Sequence, residues 1–249
     1  MTEPSAQPTP RFNLARLFAV LFRPRQTFGE IASEGKPSWV TPLIVASLAA
    51  ILVVVVGGYI KSRAAMMGEV ELPPDWEYWS PQMQEDYMSG QQATQSPAFL
   101  YVVPTAGALI SLWLGWLILG GLLHLGSTLV GGRGSMGGAL TITAWAGAPF
   151  IVRDLLRALF ILASGHAIRA AGLSGFAEGA GFLVQLLARL DLFVIWNILL
   201  LILGFKTVDN LPTGKAVTAV AVVMVIALLA QAGIGAMGAG IGSAFQSGF

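Results

Sequence analysis

An all-α membrane protein is the fold class this sequence predicts: a five-transmembrane-helix bundle with an N-terminal amphipathic interfacial helix. Three observations predict it. Five stretches, at about 39–60, 98–130, 138–163, 182–205 and 216–242, are long and almost wholly apolar. About 20 such residues in a helix cross a hydrocarbon core of about 30 Å. Of all residues, 55% are hydrophobic and only 11% charged, and mean hydropathy is +0.72; a soluble domain carries about 25% charge. Lipid offers loose backbone groups no hydrogen-bond partner, so the apolar stretches should be helices rather than open strands.

The chain of 249 residues reads as three parts. Residues 1–10, polar and proline-rich, are expected to form a disordered tail, and they do not resemble a cleaved secretory signal. Residues 11–35 are expected to form cytoplasmic interfacial helices. Phe12, Leu14, Leu17, Phe18, Leu21 and Phe22 recur near helical spacing with Arg11 and Arg16 among them, the pattern of a helix lying in the membrane interface. Pro24 ends that helix, because proline disfavours helix in the residue before it, and a second short helix starts near Thr27. A plain anchor is the preferred reading, a lipid or partner sensor the alternative. The five-span membrane domain follows at 36–249, with an outer loop at 61–97.

Basic residues set the orientation. Arg11, Arg16, Arg23, Arg25, Lys36, Arg133, Lys206 and Lys215 fall on one side of the spans. The other side has Lys61, Arg63 and Arg169, with most of the acids. The N-terminus is therefore expected in the cytoplasm and, with five spans, the C-terminus outside. The acidic outer loop holds Trp76, Tyr78, Trp79 and Tyr87, with Ser80 and Pro81 as a helix start for a run to about Ser89. An interfacial lid is the preferred reading of these aromatics; docking of a partner through Trp76, Tyr78 and Trp79 is the alternative.

Catalytic and metal chemistry have little to stand on. There are no cysteines, which excludes thiolate catalysis and cysteine metal sites, and the two histidines, His124 and His166, give no clear base. Gly132, Gly134 and Gly137 spell GxGxxG. A dinucleotide fingerprint needs a strand before it and an acid about 20 residues on, whereas here a membrane helix precedes it and Asp154 lies in the next span. No cofactor, metal or nucleic acid is expected. No internal repeat is visible either, which weakens a transporter reading.

Small residues recur every fourth position at Gly107, Ser111, Gly115 and again at Ala232, Ala236, Gly240. Such ridges let helices approach closely in lipid. Packing within the bundle is the preferred use, and a homo-oligomer stays open. The sharpest local feature is ionic: Arg153, Asp154 and Arg157 on the third stretch, Arg189 and Asp191 on the fourth. A charge at mid-helix costs about 2.5–3.5 kcal/mol on insertion scales, so these five must be paired or watered. Depth matches Asp191 with Arg153, since both lie about 13–15 Å from the outer helix ends at 1.5 Å per residue; Asp154 or solvent is left for Arg189. The cluster reads as a structural ion-pair lock or as a ligand site.

Four segments carry a family resemblance. They are Phe22-Arg23-Pro24-Arg25-Gln26-Thr27-Phe28 with Ile31, Trp39 and Pro42-Leu43; Thr143-Ala144-Trp145-Ala146-Gly147-Ala148-Pro149; Trp196, Leu200 and Gly204-Phe205-Lys206; and Gly214-Lys215-Ala216. In order and spacing they resemble the Yip family of multi-pass membrane proteins, in its bacterial branch, with Trp145 where tyrosine is commoner. The resemblance implies a five-helix bundle with a cytoplasmic N-terminus and no enzymatic activity. It transfers no residue-level site, and the small-GTPase role of eukaryotic relatives is not carried over. Some bacterial relatives look like accessory partners of ABC-type exporters.

The expectation is therefore a non-enzymatic adaptor, scaffold or accessory subunit in the cell (inner) membrane, with membrane lipids and another membrane protein as partners. The alternative is a small transporter or lipid-handling protein using the charged cluster.

Overall fold

The computed structural model describes residues 12–67, 72–73, 75–168, 170–179 and 181–247. The expected tail at 1–10, Arg11, and part of the outer loop lie outside the described residues. Among the described residues the α-helices are, in chain order, α1 (Leu14–Phe22), α2 (Pro24–Glu34), α3 (Val40–Met66), α4 (Pro81–Thr94), α5 (Val103–Leu129), α6 (Met136–Ala146), α7 (Ala148–Ser164), α8 (Phe182–Leu187), α9 (Leu192–Val208) and α10 (Thr213–Ser247). Single 3-10 turns stand at Trp76–Tyr78 and Ser174–Phe176, and a π-helical turn, Ala98–Val102, leads into α5. Among the described residues there is no strand.

Among the described residues, three helical runs are long and apolar enough to cross a membrane: Val40–Met66, Ala98–Leu129 and Thr213–Gly240. A fourth, Leu192–Val208, is apolar but shorter. The stretches at 138–163 and 182–205, expected as one helix each, are both interrupted, and each break has a local cause.

The first break is at Gly147. Pro149 has no N–H to donate, and Phe150 N–H turns to Gly147 O at 3.0 Å, in the tighter pattern that leaves the Ala146 carbonyl without its usual partner. Asn197 of α9, 2% exposed, donates its Nδ2–H to that carbonyl at 2.7 Å. The second break is a change of helix. Arg189 N–H and Leu190 N–H bond the carbonyls of Leu186 and Leu187 three residues back. Asp191 is then extended (φ −141°, ψ 174°) and its Oδ1 accepts from Val194 N–H at 2.8 Å. An aspartate before an apolar run is an N-cap, and here that local bond wins over continuing α8. Leu173 N–H closes the end of α8 by donating to Leu187 O at 2.9 Å.

The chain divides into two compact units. Unit one comprises Met1–Ala46, Trp116–Phe150 and Ala170–Phe249. Its core is built where α9 meets α2, α6 and α10, around Trp145, Phe28, Phe205, Ile142, Leu200 and Leu201, all fully buried. Gly204 allows this packing: a Cβ there would collide with Ile142 Cγ2 and crowd the Phe28 ring at 3.1 Å. Helix α1 joins the core through Leu17 and Val20, while Leu14, Phe18 and Phe22 are exposed. Arg16 of α1 pairs with Glu34 of α2 and lies 5.7 Å from the Trp145 ring centroid.

Unit two comprises Ser47–Gly115 and Ile151–Arg169. Val56, Ala158 and Ile161 form its buried cluster with Val53 and Ile60. In the loop at 61–97 Ser80 Oγ accepts from Met83 N–H at 3.3 Å to start α4, where the sequence placed a helix start, and the helix runs on to Thr94.

Candidate functional site

In unit two, Arg153 Nε stands 3.4 Å from Oδ1 of its neighbour Asp154, and Arg157 is exposed on the same helix. In unit one, Asp191 caps α9, so it sits at a helix start rather than mid-helix as expected. Arg189, expected to face Asp154 or solvent, donates Nη1–H to Gln231 Oε1 of α10 at 2.9 Å, while its buried Nε has no hydrogen-bond partner. A guanidinium resting on a neutral amide keeps its whole charge.

The aromatics of the loop at 61–97 divide by role. Trp76, Trp79 and Tyr87 pack on one another with centroids 5.5–5.7 Å apart, and Gln84 Nε2–H donates to Trp76 O at 2.9 Å. At that spacing they fill the space between themselves, as a small core does. Of the three residues that the alternative reading assigned to docking, Tyr78 is the one that projects, at 88% exposed.

A further polar site went unread in the sequence. Asp209, directly after α9, is only 6% exposed. Its Oδ2 accepts the Ser127 hydroxyl of α5 at 2.6 Å, and Oδ1 is buried without a partner. Burial pushes its carboxyl above the usual range, against the opposing pull of the Ser127 hydrogen bond and of nearby His124. The glycine loop that spells GxGxxG wraps this pair. Gly132 N–H donates to Ser127 O at 2.8 Å, and a Cβ on Gly132 would strike the Ser127 hydroxyl. A Cβ on Gly134 would occupy the place of Asp209 Oδ1. Two of the glycines are thus explained by close approach to a buried polar pair. The available signal was His124 and Ser127 three apart on an apolar helix, but Asp209 lies 82 residues away and nothing local joins them.

Among the described residues, no group of His, Asp or Glu side chains could hold a metal ion. The Yip1 domain family model matches residues 18–235. The chain belongs to the Yip1 family. No curated protein and no solved structure matches it. Membership of the Yip1 family, together with the long apolar helices, makes this an integral membrane protein in contact with lipid. The residues carrying the Yip resemblance lie largely in the core of unit one: Thr27 and Phe28 on α2, Trp145 on α6, Leu200, Gly204 and Phe205 on α9. In this Yip1 domain these buried motif residues therefore record how helices fit together.

Proposed function

We propose that this Yip1 protein is a non-enzymatic adaptor or accessory subunit of another membrane complex. In this reading the chain crosses the cell membrane five times with its N-terminus in the cytoplasm; α6–α7 and α8–α9 serve as the two broken crossings. The exposed apolar side of α1 lies in the interface. An ABC-type exporter is the partner class that fits the bacterial branch of the family.

One observation carries the reading. On the N-terminal half of α5, Gly107, Ser111 and Gly115 are exposed, and a Cβ on either glycine would meet nothing within 4 Å. In the apolar window of the run Ala98–Leu129 only 11% of residues are buried. A small-residue ridge exists to bring a second helix close, and among the described residues this one has none against it, so in this reading the second helix comes from another chain.

The test is purification of the tagged protein in mild detergent beside the Gly107→Leu and Gly115→Leu variants. A stoichiometric membrane protein retained by the wild type and lost from both folded variants is the expected result. Equal recovery from all three, or a wild type that purifies alone, refutes the adaptor reading.

A second reading, a lipid-handling protein or small transporter using the cluster of Arg153, Asp154, Arg157, Arg189 and Asp191, is favoured by Arg189, whose charge rests on neutral Gln231. There, Arg189→Gln should leave the fold intact and abolish function.

A further inference from the structure

Asp209 lines an open cavity of about 430 Å³ with Gly131, Arg133, Gly134, Val208 and Asn210. This lies within the range of about 300–1,000 Å³ typical of small-ligand sites. The carboxylate brings one unused acceptor, the buried Oδ1. Two cations stand at the cavity: Arg133 in its lining, and Lys215, whose Nζ lies 3.4 Å from where a Cβ on the lining residue Gly131 would be. Both are exposed, and no ion pair to either occurs among the described residues. The cavity opens at the ends of two apolar helices, α5 and α9, the level at which lipid headgroups lie.

Charge arithmetic selects the ligand. A simple anion would satisfy Arg133 and Lys215 but meet the carboxylate of Asp209. A simple cation would satisfy Oδ1 but meet two positive side chains. A zwitterion with a phosphate and a primary ammonium two carbons apart satisfies both sets at once. A trimethylammonium has no N–H to give Oδ1, and a serine headgroup would bring a second carboxylate against Asp209. We propose that this cavity binds a phosphoethanolamine group, its ammonium donating to Asp209 Oδ1 and its phosphate held by Arg133 and Lys215. Oδ1 lies beneath Gly134, so the amine reaches it by displacing the 131–134 loop, in which Arg133 is the only side chain to move. The group has two sources of the same chemistry, a phosphatidylethanolamine headgroup or a soluble phosphoethanolamine ester.

The test uses the full chain, stripped of lipid and placed in nanodiscs of phosphatidylglycerol mixed with equal parts of one other phospholipid. That phospholipid is phosphatidylethanolamine, its monomethyl or dimethyl derivative, or phosphatidylcholine. Lipid retained on release is read by native mass spectrometry. Retention should hold through the dimethyl lipid, which still has one N–H, and fall about tenfold at phosphatidylcholine, the worth of one charge-assisted hydrogen bond.

Asp209→Asn, which keeps an acceptor for Ser127, should erase that step; its melting temperature in phosphatidylcholine discs checks its fold. The double change Arg133→Gln with Lys215→Gln should lower retention of every phospholipid alike. If soluble phosphoethanolamine displaces the lipid and alone raises the melting temperature as far, the soluble ester is the ligand and the site stands. A smooth decline across the methylation series, or a preference that survives Asp209→Asn, overturns the proposal.

Discussion

The two halves of α5 are written in nearly the same alphabet and meet different surroundings. In the C-terminal half, Gly120 faces Leu140, a Cβ on Gly126 would lie 3.0 Å from Val223 Cγ2, and Leu123 and Ser127 are each 1% exposed. In the N-terminal half, Gly107 and Gly115 face nothing, and Ile110, Leu114, Leu117 and Ile118 around them are exposed. Composition and period cannot separate the halves, because lipid and protein are equally apolar neighbours for leucine. What separates them is whether another element of the same chain arrives. Packed glycines in this protein are spaces already filled; bare ones are spaces held open.

The largest expected effect tests that contrast outright. Gly204→Leu should lower unfolding free energy by about 3 kcal/mol, the upper range for forcing volume into a filled core, because Ile142 and Phe28 already occupy the place of its side chain. Gly115→Leu should leave stability unchanged or raise it slightly, since leucine is the better helix former. Unfolding in mixed micelles followed by circular dichroism would measure both. Equal losses would mean that the ridge on α5 is no emptier than the core.

The next effect asks whether the break in the third apolar stretch is built or tolerated. Asn197→Leu fits the volume but leaves the buried Ala146 carbonyl without its donor, at a cost of about 2 kcal/mol. No loss in the same unfolding assay would mean that water or a shifted backbone serves the carbonyl equally well, and that the 2.7 Å bond is incidental.

Much of this was legible in the sequence, and for a physical reason. Helical character, the end of α1 before Pro24 and the start at Ser80 are set by neighbours within four residues; α2, expected from Thr27, starts at Pro24 instead, where proline suits the first turn of a helix. The order of the motifs around Phe28, Trp145 and Gly204 was readable too, although their reason, one shared core, was not. The breaks at Gly147 and Asp191 were misread because hydropathy averages over them; Pro149 and Asp191 carried the signals, and apolar flanks outweighed them. Asp209 was missed altogether. Its meaning depends on Ser127, far away in sequence, and a single acid in a loop is ordinary until burial makes it otherwise.

A smaller effect belongs to the Arg16–Glu34 pair. Both side chains are mostly buried, at 11% and 21% exposed, and Arg16 also lies over Trp145. Arg16→Gln should cost about 1 kcal/mol, more than an ordinary surface pair because the site is part-screened from water. Adding Glu34→Gln should return part of that loss, since the second change removes an uncompensated charge. If the double variant is instead no better than the single one, the stacking on Trp145 supplies the energy and the carboxylate does not.

The smallest effect is one of slope. Burial raises Asp209 above the ordinary carboxylate value, so the folded chain holds a proton that the unfolded chain has released. Between those two values the folded state binds more protons, and stability must fall as pH rises from the unfolded carboxylate value to the folded one, then level off. This is opposite in sign to a salt-bridged carboxylate. Ser127 and His124 work against the shift, which keeps the slope shallow. Asp209→Asn should remove it and leave the rest of the pH profile in place, as melting temperatures across mildly acid pH would show. A primary ammonium bound at Oδ1 favours the ionised form, so phosphatidylethanolamine should flatten the wild-type slope as well. A slope that is unchanged in the variant would assign the titration to another group and leave the buried oxygen of Asp209 with no part in stability.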